Sequence, residues 1–211
     1  GELASKALRA FLPDAKDFPY TIRLVSEIME SNGSSSMATV CASILAMLEG
    51  GVPIKHSVAG IAMGQFMEGD DYTVLTDIQG AEDHYGDMDF KVAGTTEGIT
   101  ALQMDIKIDG VNIEIMRKAL TQAKDARLHI LSKMDEAIAK PREAISDFAP
   151  RILITEIPKE KIGDVIGPGG KIIRKTCEDF GVKVEVSEDE EARIGIVKVL
   201  SVDGPSGEEA M

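Results

Sequence analysis

The sequence predicts an α+β chain in two unequal parts, and three observations carry that reading. Runs of apolar–polar alternation follow one another across short polar turns, the pattern of antiparallel strands. Residues 112–140 instead repeat apolar side chains at three- and four-residue steps, the pattern of a long amphipathic helix. From Arg151 the order changes to strand, helix, glycine-rich turn, helix and two further strands. The expected division is a first domain over 1–140, a linker over 141–150 carrying Pro141 and Pro150, and a second domain over 151–211. With 211 residues, 44% of them hydrophobic, the chain has material for one good core and a smaller satellite.

Residues 1–19 read as a short apolar and charged lead-in with no regular element assigned. Tyr20 to Met29 alternates as a strand, with Ile22, Leu24 and Ile28 on one face and Thr21, Arg23 and Glu27 on the other. Met37 to Leu48 is almost wholly small or apolar and reads as a buried helix, stopped by Gly50-Gly51 and Pro53. Val58–Met67 and Tyr72–Ile78 form a hairpin across the turn Glu68-Gly69-Asp70-Asp71. A strand starts at Asp87, so Asp87, Asp89 and Lys91 share one face while Met88, Phe90 and Val92 turn to the core. Asp83 is placed just before this strand, with Gly86 allowing a turn back toward Asp89. Ile99–Ile108 alternates next, Leu102, Met104, Ile106 and Ile108 against Gln103, Asp105 and Lys107. Paired with the preceding strand, it would bring Asp105 onto the face of Asp89. In the long helix Ile113, Met116, Leu120, Ala123, Ile130, Met134 and Ala137 form the expected core stripe, and Pro141 ends it. The second part reads as a strand from Arg151 to Ile157, a helix around Glu160–Ile166, the turn Gly167–Gly170 and a helix from Lys171 to about Phe180. Strands over Val182–Val186 and Ile194–Leu200 follow, and no helix is expected after them.

The stretch Asp83-His84-Tyr85-Gly86-Asp87-Met88-Asp89-Phe90-Lys91 concentrates the chemistry. Carboxylates projecting from an ordered strand suit a hard divalent cation such as Mg²⁺ or Mn²⁺. Acids this close repel one another unless a cation neutralises them. The ordinary alternative is a solvated acidic turn; the apolar alternation weighs against it, because it holds the acids on a regular element. Ser34, Ser35 and Ser36 open the buried helix. One serine suffices as an N-cap. Three after a glycine also provide hydroxyl donors beside free backbone N–H groups, a setting for phosphate.

The net charge of -13 argues against broad phosphate-backbone binding over the whole surface and leaves room for a local nucleic-acid site. Cys41 and Cys177 have no disulfide or zinc spacing, which fits a reducing compartment. No run approaches the ~18 apolar residues of a membrane span, so no membrane partner is expected. Gly1-Glu2-Leu3-Ala4 reads as the interior of a longer polypeptide.

Val165-Ile166-Gly167-Pro168-Gly169-Gly170-Lys171-Ile172-Ile173-Arg174 resembles the signature of KH domains, whose G-x-x-G loop between two helices clamps a single-stranded nucleic-acid backbone. The resemblance implies RNA contacts at Gly167, Pro168, Gly169, Gly170, Lys171 and Arg174. It also implies a helix after the last strand, which the sequence reading does not find, so the module is expected to be incomplete. Ser31 to Ala38, Asp83 to Gly94 and Ala101 to Ile108 together resemble the second RNase PH-type domain of the polynucleotide phosphorylase family. That resemblance implies an RNase PH-like mixed sheet with helices, leading into the KH-type α+β domain.

It further implies a phosphate-dependent 3′→5′ exoribonuclease, acting in mRNA degradation, that releases nucleoside 5′-diphosphates and runs reversibly. Ser34, Ser35 and Ser36 match the family's phosphate-binding positions, and Asp83 and Asp89 its metal-binding aspartates. Lys91 matches the lysine beside them and Asp105 a further acid near the centre. The implied cofactor is Mg²⁺ or Mn²⁺, with inorganic phosphate as co-substrate. The implied partners are single-stranded RNA, two further copies in a homotrimer and a larger RNA-degradation complex, in the bacterial cytoplasm or an organelle. The rival readings are a non-catalytic RNA-binding scaffold with the same fold and a metal-dependent hydrolase that would release monophosphates.

Overall fold

The computed structural model describes residues 1–69, 71–108, 110, 112–146 and 149–211. The turn residue Asp70 and the linker residues Asp147 and Phe148 lie outside this set. The chain separates into two compact units, Gly1–Ala144 and Ile145–Met211.

The first unit is a four-stranded sheet with helices on it. Its strands are β1 (Ala59–Glu68), β2 (Asp71–Thr76), β3 (Met88–Gly94) and β4 (Ile99–Ile106), in the order β2-β1-β3-β4, and each pairing is antiparallel. The helices are α1 (Glu2–Arg9), α2 (Ser35–Glu49), α3 (Gly80–Tyr85) and α4 (Ile113–Ala137). Alternation along the strands sorts two faces. Ile61, Met63, Phe90 and Val92 pack with Ala119 and Ala123 of α4. Gly60, on the other face, meets Met37 of α2 so closely that a Cβ there would lie 2.6 Å from the Met37 sulfur. Gly64 does the same for Ile78, with 2.8 Å to its Cγ2. Small residues on β1 thus let α2 and the chain before α3 approach the sheet beside Asp89 and Lys91, whose register partners are Gly64 and Ala62.

Three expectations for this unit are corrected in whole or in part. The lead-in contains α1, which buries Ala4, Ala7 and Leu8. Tyr20–Met29 forms no strand: Val25 and Met29 are 67% and 92% exposed, and no described strand pairs with the segment. Alternation states which side chains would share a face, but a ladder needs a neighbour to receive its N–H and C=O groups. Asp83 lies just before β3, as expected, and within α3, a helix for which no element was expected, because Gln79 and Glu82 close a capping box around its start. The expected stripe of α4 holds at Met116, Leu120, Ala123, Ile130 and Met134, which pack in the core, but the most buried positions also include Ile115, Ala119, Arg127 and Leu131, while Ile113 is 71% exposed and Ala137 exposed. Arg127 occupies an apolar position because its Nη1 donates to the Thr95 carbonyl at 2.6 Å, closing the β3–β4 turn. Burial without an acid pulls its guanidinium pKa below the usual range.

The second unit has a three-stranded antiparallel sheet, β5 (Arg151–Pro158), β6 (Lys183–Asp189) and β7 (Ile194–Ser201), ordered β5-β7-β6. Helices α5 (Ile162–Ile166) and α6 (Lys171–Phe180) flank a tight turn over Pro168–Gly170. The expectation that no helix follows the last strand is corrected by α7 (Gly204–Ala210), started by Asp203, whose carboxylate accepts from Ser206 N at 2.8 Å. Gly204-Pro205 resembles a loop in composition, but proline at a helix start costs no hydrogen bond.

Two outcomes test this packing. Gln65 is fully buried among apolar residues, and neither Nε2 nor Oε1 of its side chain has a protein partner. Gln65→Met is expected to stabilise the first unit by about 1–2 kcal/mol in urea unfolding, the usual cost of an unsatisfied buried amide. Gly167 has φ +71°, and a Cβ there would lie 2.5 Å from Ile172, whereas Gly169, at φ +59°, faces open space. Gly167→Ala should cost the second unit about 2–3 kcal/mol and Gly169→Ala about 1, read as separate unfolding midpoints.

Candidate active site and nucleic-acid loop

The acids sit on the face of the first sheet opposite α4. Asp89 is 4% exposed. Its Oδ2 accepts from Lys91 Nζ at 3.1 Å, and its Oδ1 lies 3.5 Å from Lys107 Nζ. Burying a carboxylate costs several kcal/mol unless cations and hydrogen bonds replace water, and two lysines do so here. Asp105 is the direct register partner of Asp89 across β3 and β4 and is exposed. Asp87 points elsewhere: its carboxylate accepts from Met67 N at 2.7 Å and ties the start of β3 to β1.

Asp83 reaches this face from α3. Lys107 Nζ donates to the Asp83 backbone carbonyl, so one ammonium touches both acidic residues. A small cleft of about 30 Å³ is lined by Gly33, Ser34, Gln79, Gly80, Asp83 and Lys91 among others. The serine loop is held there by Asn32, whose Oδ1 accepts from Gly80 N at 3.3 Å. Ser34 is the N-cap of α2, accepting from Met37 N at 3.3 Å, and its hydroxyl is 3.2 Å from that of Ser36. Ser35 and Ser36 line a wider groove of about 600 Å³ with α1 and residues 22–28, and not the cleft of Asp83.

The structure thus brings Ser34, Asp83 and Lys91 to one cleft, with Asp89 bonded to Lys91 and Asp105 beside it on β4. Lys107 and Asn32 were not singled out from the sequence. The signal for Lys107 was present, since it shares the alternating face of Asp105, but only the pairing of β3 with β4 brings it to Asp89.

Among the described residues no three His, Cys, Asp or Glu side chains gather closely enough to hold a metal by themselves. The donor set still suits Mg²⁺, which usually takes one or two carboxylates and completes its octahedron with water and substrate phosphate.

In the second unit, Gly167, Gly169 and Gly170 all have positive φ, which turns the chain tightly between α5 and α6. Pro168, Gly169, Lys171, Arg174 and Lys175 are exposed. Arg174 Nη2 donates to the Gly169 carbonyl at 2.6 Å and braces the turn. Such a loop offers backbone approach flanked by cations, the surface a phosphodiester chain requires.

Residues 152–209 match the KH domain family. Bacterial proteins named polyribonucleotide nucleotidyltransferase match nearly the whole chain. The one from Listeria welshimeri is 59% identical over 203 residues, covering 96% of this chain and 27% of that protein. The one from Desulfitobacterium hafniense is 57% identical over 211 residues, covering 100% and 28%. The one from Beijerinckia indica is 60% identical over 206 residues, covering 98% and 28%. Among solved structures, rice Rrp46 gives a looser likeness, with TM-score 0.45 and 17% identity over 53% of this chain and 50% of that one. The chain thus spans little more than a quarter of the length of these curated relatives; it is a homologue of the corresponding stretch of the polyribonucleotide nucleotidyltransferases, and its second unit carries a KH domain.

Proposed function

We propose that the chain supplies the phosphorolytic site and one RNA clamp of a 3′→5′ exoribonuclease that shortens single-stranded RNA, including mRNA. The observation that carries this is the cleft shared by Ser34, Asp83 and Lys91, with buried Asp89 bonded to Lys91. In this reading residues 1–140 are the catalytic RNase PH-type domain, 141–150 a linker and 151–211 the RNA-binding domain.

An oxygen of inorganic phosphate attacks the phosphorus of the last phosphodiester. The new P–O bond forms as the bond to the 3′ oxygen of the penultimate nucleotide breaks. A nucleoside 5′-diphosphate leaves, and the shortened RNA keeps a 3′ hydroxyl after taking up a proton. One phosphoanhydride replaces one phosphodiester, so the reaction reverses when diphosphate accumulates. Ser34 holds phosphate in the cleft, and Ser35 and Ser36, which follow it at the start of α2 and line the neighbouring groove, add backbone N–H groups that favour the anion. Lys91 orients the transferring group and offsets its charge. Asp83 and Asp89 would hold Mg²⁺ or Mn²⁺, which would supply electrostatic stabilisation to the crowded phosphate oxygens. Asp105 adds to the negative field around that ion. Gly167, Pro168, Gly169, Gly170, Lys171 and Arg174 grip the RNA backbone upstream of the cleaved end.

A ring-shaped homotrimer, association with a larger RNA-degradation complex and a bacterial cytoplasmic location belong to the same proposal. Its support is the bacterial relatives and their names. Among the described residues, no helix is long and apolar enough to cross a membrane.

In a polypeptide of the relatives' full length, Asp89→Asn is expected to cut diphosphate release by at least about 10³-fold while RNA affinity changes less than about twofold. Release at the native rate would remove the metal assignment, and monophosphate products would favour a hydrolase. Gly169→Asp places a negative charge in the open turn. It should weaken RNA binding in a filter assay by about tenfold and spare phosphorolysis of very short oligonucleotides.

A further inference from the structure

Asp89 is held by two ammonium groups from different strands, and they are not equivalent. Lys91 lies on β3 and lines the cleft with Ser34 and Asp83. Lys107 follows β4, does not line that cleft, and reaches Asp89 Oδ1 while donating to the Asp83 carbonyl. Its side chain is 33% exposed and that of Asp89 5%, so the pair is screened only in part. Asp89 against Lys91 and Lys107 leaves one net positive charge among the directly paired groups, with Asp105 the register partner of Asp89 on β4.

We propose that Lys107 is a positioning residue that acts as the resident counter-cation of Asp89. It keeps Asp89 neutralised when no divalent ion is bound. It also sets the balance between the site's two ligands. A fixed positive charge on the carboxylate that receives the ion opposes a second cation, while the same charge favours an anion in the neighbouring cleft. Lys107 therefore weakens divalent-ion binding and strengthens phosphate binding. This rests on the proposed metal role of Asp83 and Asp89, and it adds a residue that the acidic and serine motifs do not contain.

The test uses Lys107→Met, which keeps most of the stem, and Lys107→Arg, in the full-length polypeptide. Mn²⁺ binding is measured by titration calorimetry, and phosphate binding at saturating Mn²⁺ by the same method. Lys107→Met should bind Mn²⁺ about three- to tenfold more tightly and phosphate about three- to tenfold more weakly, the scale of one partly screened charge. Lys107→Arg should stay within about twofold of the parent for both. The opposite signs are diagnostic, because a merely structural lysine would weaken both ligands together and lower the unfolding midpoint. That outcome, or unchanged Mn²⁺ affinity in Lys107→Met, overturns the proposal. Asp89→Asn is the control: if it leaves Mn²⁺ binding intact, the metal reading itself fails. If it abolishes binding while Lys107→Met behaves as the parent, only the role of Lys107 falls.

Discussion

A buried carboxylate with cations on both oxygens is the interaction on which the first unit's acidic face depends. Burying Asp89 costs several kcal/mol unless cations replace its water, and Lys91 and Lys107 do so. Both lysines arrive through strand register. Lys91 is two residues along β3, and Lys107 lies two residues beyond Asp105, the cross-strand partner of Asp89. A slip of one residue in β3 would exchange Asp89 for Phe90 and place the acid against α4. The apolar side chains Met88, Phe90 and Val92 therefore aim the polar ones: their burial is what prevents the slip.

Around that acid, the neighbouring elements are held close by small residues and by single hydrogen bonds. Gly60 and Gly64 leave room for α2 and Ile78, so the serine loop and α3 converge beside Lys91. Asn32 joins the two at Gly80. The turn of the second unit uses other means for a related end. Three glycines with positive φ bring backbone to the surface, and Arg174 braces it from the following helix. The first unit offers an anion hydroxyls and an ammonium in a cleft; the second offers a phosphodiester an open backbone rimmed by lysine and arginine. An acidic chain can carry both sites because each is local.

Much of the architecture was legible before any coordinates. β1, β2, β3 and the helices α2, α4 and α6 fall within a few residues of their expected positions, because each has either clean alternation or a helical stripe bounded by glycine, proline or a cap. The failures share a cause. The segment 20–29 alternates like a strand but no described strand pairs with it, and α1, α3 and α7 are too short to declare a period. Arg127 sits in an apolar stripe because a carbonyl from the β3–β4 turn waits for it, and turns of that kind leave no periodic trace.

The sequence by itself determined which side chains share a face, where the acids, serines and glycine turn lie along the chain, and which family they resemble. Those are properties of consecutive residues, set by the two-residue repeat of a strand and the geometry of a cap. Only the tertiary structure decided that Ser34 shares a cleft with Asp83 while Ser35 and Ser36 face another groove, and that the second cation on Asp89 is Lys107. Those outcomes depend on which strand lies beside which and how closely helices can approach, and backbone pairing and packing volume settle both over long separations in sequence.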